Sequence, residues 1–447
     1  LFEVAGALVR RVNYQGDVGM HVAKAIWGIM RIADFSHLEN KSLGERIKSL
    51  GRAYAAGSKA FEEKDQAKTE ITRLNKLVFI AAQKSFAEKD HWEPIVNYKG
   101  DDEINDKELE IVRELYEKGR AWSLDYFETI YKRLGTKFEG YYFESKVGEV
   151  GVKIVRRHIA DGIFEEHEGA VVYRGEKHGL HTRVFINKLG LPTYEAKELG
   201  LAPTKFTDWP YDQSLIVTAN EINEYFKVLI AALTDVNPEL GKKTKHVGHG
   251  MVRLPEGKMS SRTGKILTGQ WLIDEAKRQI LDYLDKSDRN YPKKDQELIG
   301  ERAAVAAIKY SLLKVSLPND ISFDITKSIS FDGDSGPYLQ YTYARCKSVL
   351  RKAGSESTTY NLQPRTSLNP EERQVARLII QFPDLVAEAA TNFAPSTVCS
   401  YLNKLAQAFN LFYAKHEIIG SDLRLALTAA TAQVLKNGLY LLGIEVI

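Results

Sequence analysis

Apolar residues recur at helical spacing through much of the chain, and short β-rich runs interrupt them in two regions. The first stretch, to about Ile32, alternates apolar positions with turn signals (VNYQGDVG) and reads as α/β. From roughly Ser42 the chain becomes charged, yet Ile71, Leu74, Leu77, Val78 and Ala81 follow one helical face. Ile111 and Leu115, then Leu124, Phe127 and Ile130, continue that spacing, which predicts a helical insertion over about 42–150. Strand signals return in GAVVYRG, RVFINKLG and SLIVTAN, and Tyr225, Val228, Leu229 and Ala232 then share a helix face. Strand-then-helix units predict a parallel sheet whose ligand loops lie at the carboxyl ends of its strands. From Gly269 onward the pattern is almost wholly helical. One face is Val375, Leu378, Ile379, Phe382, Leu385 and Val386; a second is Leu402, Leu405, Phe409 and Phe412; a third is Leu427, Ala430, Val434 and Leu441. The polar stretch 354–370 is the best linker candidate.

Composition narrows the class. A chain of 447 residues, 44% hydrophobic and 27% charged, can bury large cores in several domains. No apolar run approaches the ~20 residues that a membrane span needs. Cys346 and Cys399 are the only cysteines, too few for a disulfide framework or a cysteine zinc site, and they fit a reducing, cytoplasmic setting. A formal charge of +3 argues against a purely electrostatic nucleic-acid binder. That charge is uneven: from Gly336 onward 11 Lys and Arg face 8 Asp and Glu, which accounts for all of it.

The densest chemistry lies in GHGMVRLPEGKMSSRTGK. Glycines at 248, 250, 257 and 264 surround Lys258, Arg262 and Lys265, with the hydroxyls of Ser260 and Ser261 between them. A triphosphate needs a point charge, a guanidinium fork and hydroxyl donors, and this loop has all three. A bare Lys-Met-Ser triplet is more often a solvated basic turn. His246 and His249 lack the carboxylate partners of a metal site, and no metal site is expected. There is no G-x-x-x-x-G-K-[ST] string, which excludes a P-loop ATPase.

Several segments together carry a family resemblance. KMSSR resembles the KMSKS loop of class I aminoacyl-tRNA synthetases, and HVGHGMV (246–252) resembles its arginyl-tRNA synthetase form. VNYQGDVGMHV (12–22) resembles the NY-x-GD-x-G block of that family, and GLPTYEAKELGLA (190–202) its Tyr-x-x-x-Asp amino-acid-recognition helix. DGDSGPYLQYTYARCKSVL (332–350), LAQAFNLFY and RLALTAATAQVLKNGLYLLGI resemble further family segments, in the family's order. The resemblance implies an α/β Rossmann-type class I synthetase catalytic domain with a helical insertion, followed by an all-α anticodon-binding bundle. It divides the chain into an incomplete catalytic domain (1–268, insertion about 42–150), a helical stem-contact region (269–335) and an anticodon-binding domain (336–447). The implied reaction joins L-arginine to tRNA(Arg) through an arginyl-adenylate made from ATP, with Mg2+ accompanying the phosphates and a monomer expected.

By the same resemblance Lys258, Ser260, Ser261 and Arg262 would hold pyrophosphate, and His246, Gly250, Met251 and Val252 would lie near the adenine. Arginine would meet Tyr194 and Glu198, four apart on one helix face, with Glu221 or Asn220 assisting. Tyr338, Tyr341 and Arg345, at i, i+3 and i+7, with Phe409 and Tyr413 at i and i+4, would contact tRNA.

Several departures qualify this. Ser261 replaces the second lysine of KMSKS, and Thr263 stands where a lysine often follows. Glu198 replaces Asp, and Ile222 stands where the family commonly has Gln. The family's C-terminal Met is lacking at Ile447, and no HIGH motif occurs in the sequence. The chain is therefore expected to be N-terminally truncated and, as given, unable to make adenylate. A class I synthetase for cysteine would want a multi-cysteine metal site. A non-catalytic tRNA-binding paralogue of a class I synthetase stays open as an alternative.

Overall fold

The structure, a computed structural model, describes residues 1–32, 35–90, 105–253, 268–286, 292–354, 360 and 368–447. Strand β1 (Val12–Gln15) leads into α1 (Met20–Ile32) and a short α2 (Phe35–Leu38). The charged region forms three long helices, α3 (Leu43–Glu63), α4 (Asp65–Asp90) and α5 (Asp106–Arg133). A Ser42–Glu45 capping box starts α3, and Asn105 caps α5 through its side chain. Ile71, Leu74, Leu77, Val78 and Ala81 are all buried in one core, as their spacing predicts. Strand β2 (Gly140–Phe143) then returns to pair in parallel with β1, so the stretch expected as insertion to about 150 contains a strand of the α/β layer.

Helix α6 (Glu144–Arg157) follows β2 directly. Asp17, just past β1, accepts hydrogen bonds from Ser145 N (3.0 Å) and Ser145 Oγ (2.7 Å) in the first turn of α6. It also accepts from Tyr116 Oη (2.9 Å) and Arg120 Nε (3.1 Å) on α5. One buried carboxylate therefore fixes the end of β1, the start of α6 and the insertion helix together.

The next strands correct the expectation of one parallel sheet. GAVVYRG and RVFINKLG supply β4 (Ala170–Tyr173) and β5 (Arg183–Ile186), which with β3 (Phe164–His167) form an antiparallel meander. The cause is loop length. β3 and β4 are joined by Glu168 and Gly169 at φ 48° and 80°, a two-residue turn with both angles positive that suits only a hairpin. Parallel pairing would need a crossover of a dozen residues or more.

Helix α7 (Tyr194–Asp208) leads to β6 (Ser214–Ala219), and α8 (Asn223–Val236) with α9 (Pro238–Lys243) carries the chain to β7 (Thr244–His249). β6 and β7 are parallel, as the SLIVTAN run predicts. β8 (Val252–Arg253) pairs with β9 (Ile321–Ser322), across α10 (Gly269–Asp285) and α11 (Lys293–Leu313). After the short α12 (Ile325–Ser328), helices α13 (Gly336–Lys352), α14 (Pro370–Thr391), α15 (Pro395–Lys415) and α16 (Asp422–Leu441) pack into a bundle. The expected linker falls largely at 355–359 and 361–367, outside the described residues.

Candidate functional site

The first turns of α7 carry the two residues expected to meet arginine, next to the aromatic ring of Tyr225. Tyr194 opens the helix and is 46% exposed, its ring 5.5 Å from that of Tyr225 in a T-shaped contact. Glu198, one turn on, is only 5% exposed and accepts no hydrogen bond from a described residue. Burial raises its carboxyl above the usual range, Lys205 opposes that, and Glu144 adds to it. Glu144, the first residue of α6, is buried too, and it pairs with the buried Lys197 of α7. Its carboxyl is also raised, first by burial.

Two residues that sequence reasoning missed complete this pocket. The hydroxyls of Tyr14, on β1, and Tyr225, on α8, are buried without a hydrogen-bond partner among the described residues. Both titrate well above the usual tyrosine range, first through burial and then through Glu198. Tyr14 lay in plain view inside the NYQGDVG block. Tyr225 was hidden because its helix face reads as core. Glu144 follows an aromatic strand, and its buried partner Lys197 lies 53 positions away, so spacing gives no sign of it.

Asn220 and Glu221 lie in a 3-10 turn after β6. Asn220 Nδ2 donates to Pro318 O at 2.8 Å, and Glu221 is exposed. Ile222 packs against the cluster that holds Tyr225 and Phe226.

His246 lies within β7, Gly250 and Met251 follow its end, and Val252 opens β8. The His246 ring stacks on Phe226 at 4.0 Å and 8°, with its Nε2 2.6 Å from Thr218 Oγ1. Burial lowers its pKa. Gly250 is tightly enclosed: a Cβ there would lie 1.8 Å from Asn319 O. Met251 N donates to Asp320 Oδ1 at 3.0 Å, and Arg253 Nε donates to Asp320 Oδ2 at 2.8 Å. The segment is thus tied to loop 316–320 just before the signature loop. Lys258, Ser260, Ser261 and Arg262 lie outside the described residues.

In the bundle, Tyr338, Tyr341 and Arg345 share a face of α13. Arg345 Nη1 donates to Asn410 Oδ1 at 2.6 Å, and its Nη2 donates to Tyr341 Oη at 3.0 Å. The guanidinium also lies over two rings, 4.8 Å from that of Tyr341 and 5.0 Å from that of Tyr413. Asn410 Nδ2 donates to Tyr338 Oη at 2.9 Å. Tyr413 is 42% exposed, whereas Phe409 is 0% exposed in the bundle core. Phe409 therefore needs correction as a contact residue: with no accessible face, it supports the site from beneath.

Two family models and several known proteins match the chain. Residues 1–325 match the family described as tRNA synthetases class I (R), catalytic domain, and residues 339–447 match the DALR anticodon binding domain. The arginine–tRNA ligase of Parabacteroides distasonis is 34% identical over 77% of this chain and 59% of its own length. That of Treponema denticola is 30% identical over 99% of this chain and 72% of its own. That of Porphyromonas gingivalis is 28% identical over 100% of this chain and 74% of its own. The matched segment thus spans 59–74% of these relatives. The arginyl-tRNA synthetase structure from Thermus thermophilus superposes with a TM-score of 0.74 at 21% identity, over 100% of this chain and 76% of that one. The Plasmodium falciparum structure gives 0.72 at 20% identity, over 100% and 71%. The fold is theirs, and with the catalytic-domain match covering well over half of its residues, the chain belongs to the arginyl class I tRNA synthetase family.

Proposed function

We propose that this chain carries the arginine pocket and the anticodon-reading bundle of an arginine–tRNA ligase. The observation that supports this most directly is Glu198, a buried carboxylate that accepts no hydrogen bond from a described residue, near the hydroxyls of Tyr14 and Tyr225, which are likewise without a partner among the described residues. A guanidinium supplies five N–H donors in a plane and a positive charge to set against the buried Glu198 carboxylate, Glu144 being already paired with Lys197. The half-exposed ring of Tyr194 gives it a surface to stack on.

In the reaction, arginine's carboxylate attacks the α-phosphorus of ATP, releasing pyrophosphate, and the terminal 2′-hydroxyl of the tRNA then takes the arginyl group and releases AMP. Neither step requires a strong side-chain base, so positioning and phosphate charge stabilisation dominate. Lys258, Ser260, Ser261 and Arg262 would hold the departing pyrophosphate, with magnesium arriving on the triphosphate as part of that substrate. The segment His246–Val252 would face the adenine.

Calorimetric titration of the purified chain with L-arginine and with citrulline tests the pocket. Citrulline keeps the shape but lacks the charge, so arginine should bind at least about tenfold more tightly. Equal affinities would remove the basis of the proposal.

For the bundle, Tyr413→Ala should weaken binding of an arginine-tRNA anticodon stem-loop about tenfold, the scale of one lost stacking contact. Filter binding at fixed salt measures it, and an unchanged Kd would take Tyr413 out of the interface.

One observation favours the non-catalytic paralogue as a second reading. Ile222, where the resemblance leads one to expect Gln, is committed to apolar packing and presents no polar atom. ATP–pyrophosphate exchange by the complete protein, present or absent, separates the two.

A further inference from the structure

The turn between α14 and α15 contains a residue that its backbone does not favour. Phe393 has φ 54°, one of two non-glycine residues with positive φ among those described. Phe393 N donates to Ala390 O at 3.3 Å and Ala394 N donates to Ala389 O at 2.9 Å, which makes this a Schellman ending with Phe393 at its left-handed position. Glycine is the ordinary occupant there because a Cβ is strained in that conformation. A phenylalanine accepted at such a cost points to a use for its ring.

The ring reaches out of the bundle onto the catalytic region. Lys245 Nζ, on β7, stands 3.9 Å from its centroid, and the Phe2 ring is 5.5 Å away. With Leu317, Pro318, Asn223 and Gly248 it lines a cleft of about 570 Å3 between the two parts. Loop 316–320 forms one wall, and Ser316 Oγ lies 3.4 Å from Ser396 Oγ of α15. The same loop holds both strand ends already described: Asn220 through Pro318 O, and Met251 and Arg253 through Asp320. Gly250 fits closely against Asn319, so loop and strand end must move together.

We propose that Phe393 is a positioning residue through which the anticodon bundle sets loop 316–320, and with it the Gly250–Arg253 segment that leads into the signature loop. Its relevance to ATP rests on the function proposed above; the mechanical coupling does not.

Hydrogen exchange on the purified chain tests the coupling without any substrate. Ile321 N donates to Met251 O and Phe323 N donates to Arg253 O, and these amides report whether the loop is held. Phe393→Gly keeps the left-handed turn and removes only the ring. It should speed exchange at Ile321 and Phe323 about tenfold while leaving the amides of α14 and α15 unchanged. Phe393→Tyr should restore wild-type exchange. Binding of the anticodon stem-loop should alter exchange at Ile321 in the wild type and leave it unaltered in Phe393→Gly. Unchanged exchange at Ile321 and Phe323 in Phe393→Gly, or faster exchange throughout the bundle, overturns the proposal. Failure of arginine to bind would instead count against the pocket.

Discussion

Glu198→Gln is expected to raise the arginine Kd by about a hundredfold, the scale of losing a charge-assisted bidentate pair from a buried site. The substitution keeps volume and planarity, so packing around α7 is preserved. It exchanges one acceptor oxygen for a donor nitrogen that faces the guanidinium donors, and it removes the charge. Stability should move the other way. A carboxyl whose folded pKa is raised above its unfolded value binds protons more readily when folded. Its ionised form therefore costs stability at every pH above the usual carboxylate range, and the neutral amide escapes that cost. The variant should melt at the same temperature as the wild type or slightly higher near neutral pH, while arginine binding collapses. The wild type should itself lose arginine as pH falls through the raised range of Glu198, and the variant should show no such dependence. Wild-type affinity in Glu198→Gln would show that the carboxylate does not touch the substrate. A lower melting temperature accompanying the loss would mark Glu198 as structural.

Legibility divides along the range of the interactions. Periodicity found the faces of α14 and α15 because a helix repeats its own pattern: Leu402, Leu405, Phe409 and Phe412 are all fully buried. It placed the seam of α16 less well, because Thr428 and Thr431 sit in it at 0% exposure. Their hydroxyls bond Arg424 O and Leu427 O in the preceding turn, so residues that count as polar in a pattern present an apolar side to the core. Sheet direction was misread where it depended on two residues of turn geometry at Glu168 and Gly169. The pocket was half legible. Tyr194 and Glu198 are four apart on one element, whereas Tyr14, Glu144 and Tyr225 come from three others and meet only in the fold. Phe409 shows the reverse limit, since spacing placed it beside Tyr413 but could not say which of the two faces inward.

Gly151→Ala should destabilise the catalytic part by about 3 kcal/mol, an overpacking cost, although Gly151 touches no proposed ligand. A Cβ there would lie 1.7 Å from Ala196 O, a backbone atom that cannot swing aside. The reciprocal contact is nearly as close, with a Cβ at Gly200 falling 2.1 Å from Val147 O. Helices α6 and α7 therefore cross backbone to backbone, and one added methyl must push them apart. Helix α7 carries Tyr194, Lys197 and Glu198, while α6 begins at Glu144, so the separation also opens the pocket between them. Arginine affinity should accordingly drop at least about tenfold even at temperatures where the variant is folded, since displacement of about an ångström is enough to spoil a positioned site. Gly44→Ala provides the control, because Gly44 is helical with nothing within 4 Å of its added Cβ. That exchange should stabilise α3 by about 0.5–1 kcal/mol through lower backbone entropy in the unfolded chain. Opposite signs for two glycine-to-alanine exchanges in helices would locate the effect in the α6–α7 crossing. If Gly151→Ala melts and binds arginine like the wild type, the two helices do not approach each other as closely as described, and the pocket they frame must be drawn differently.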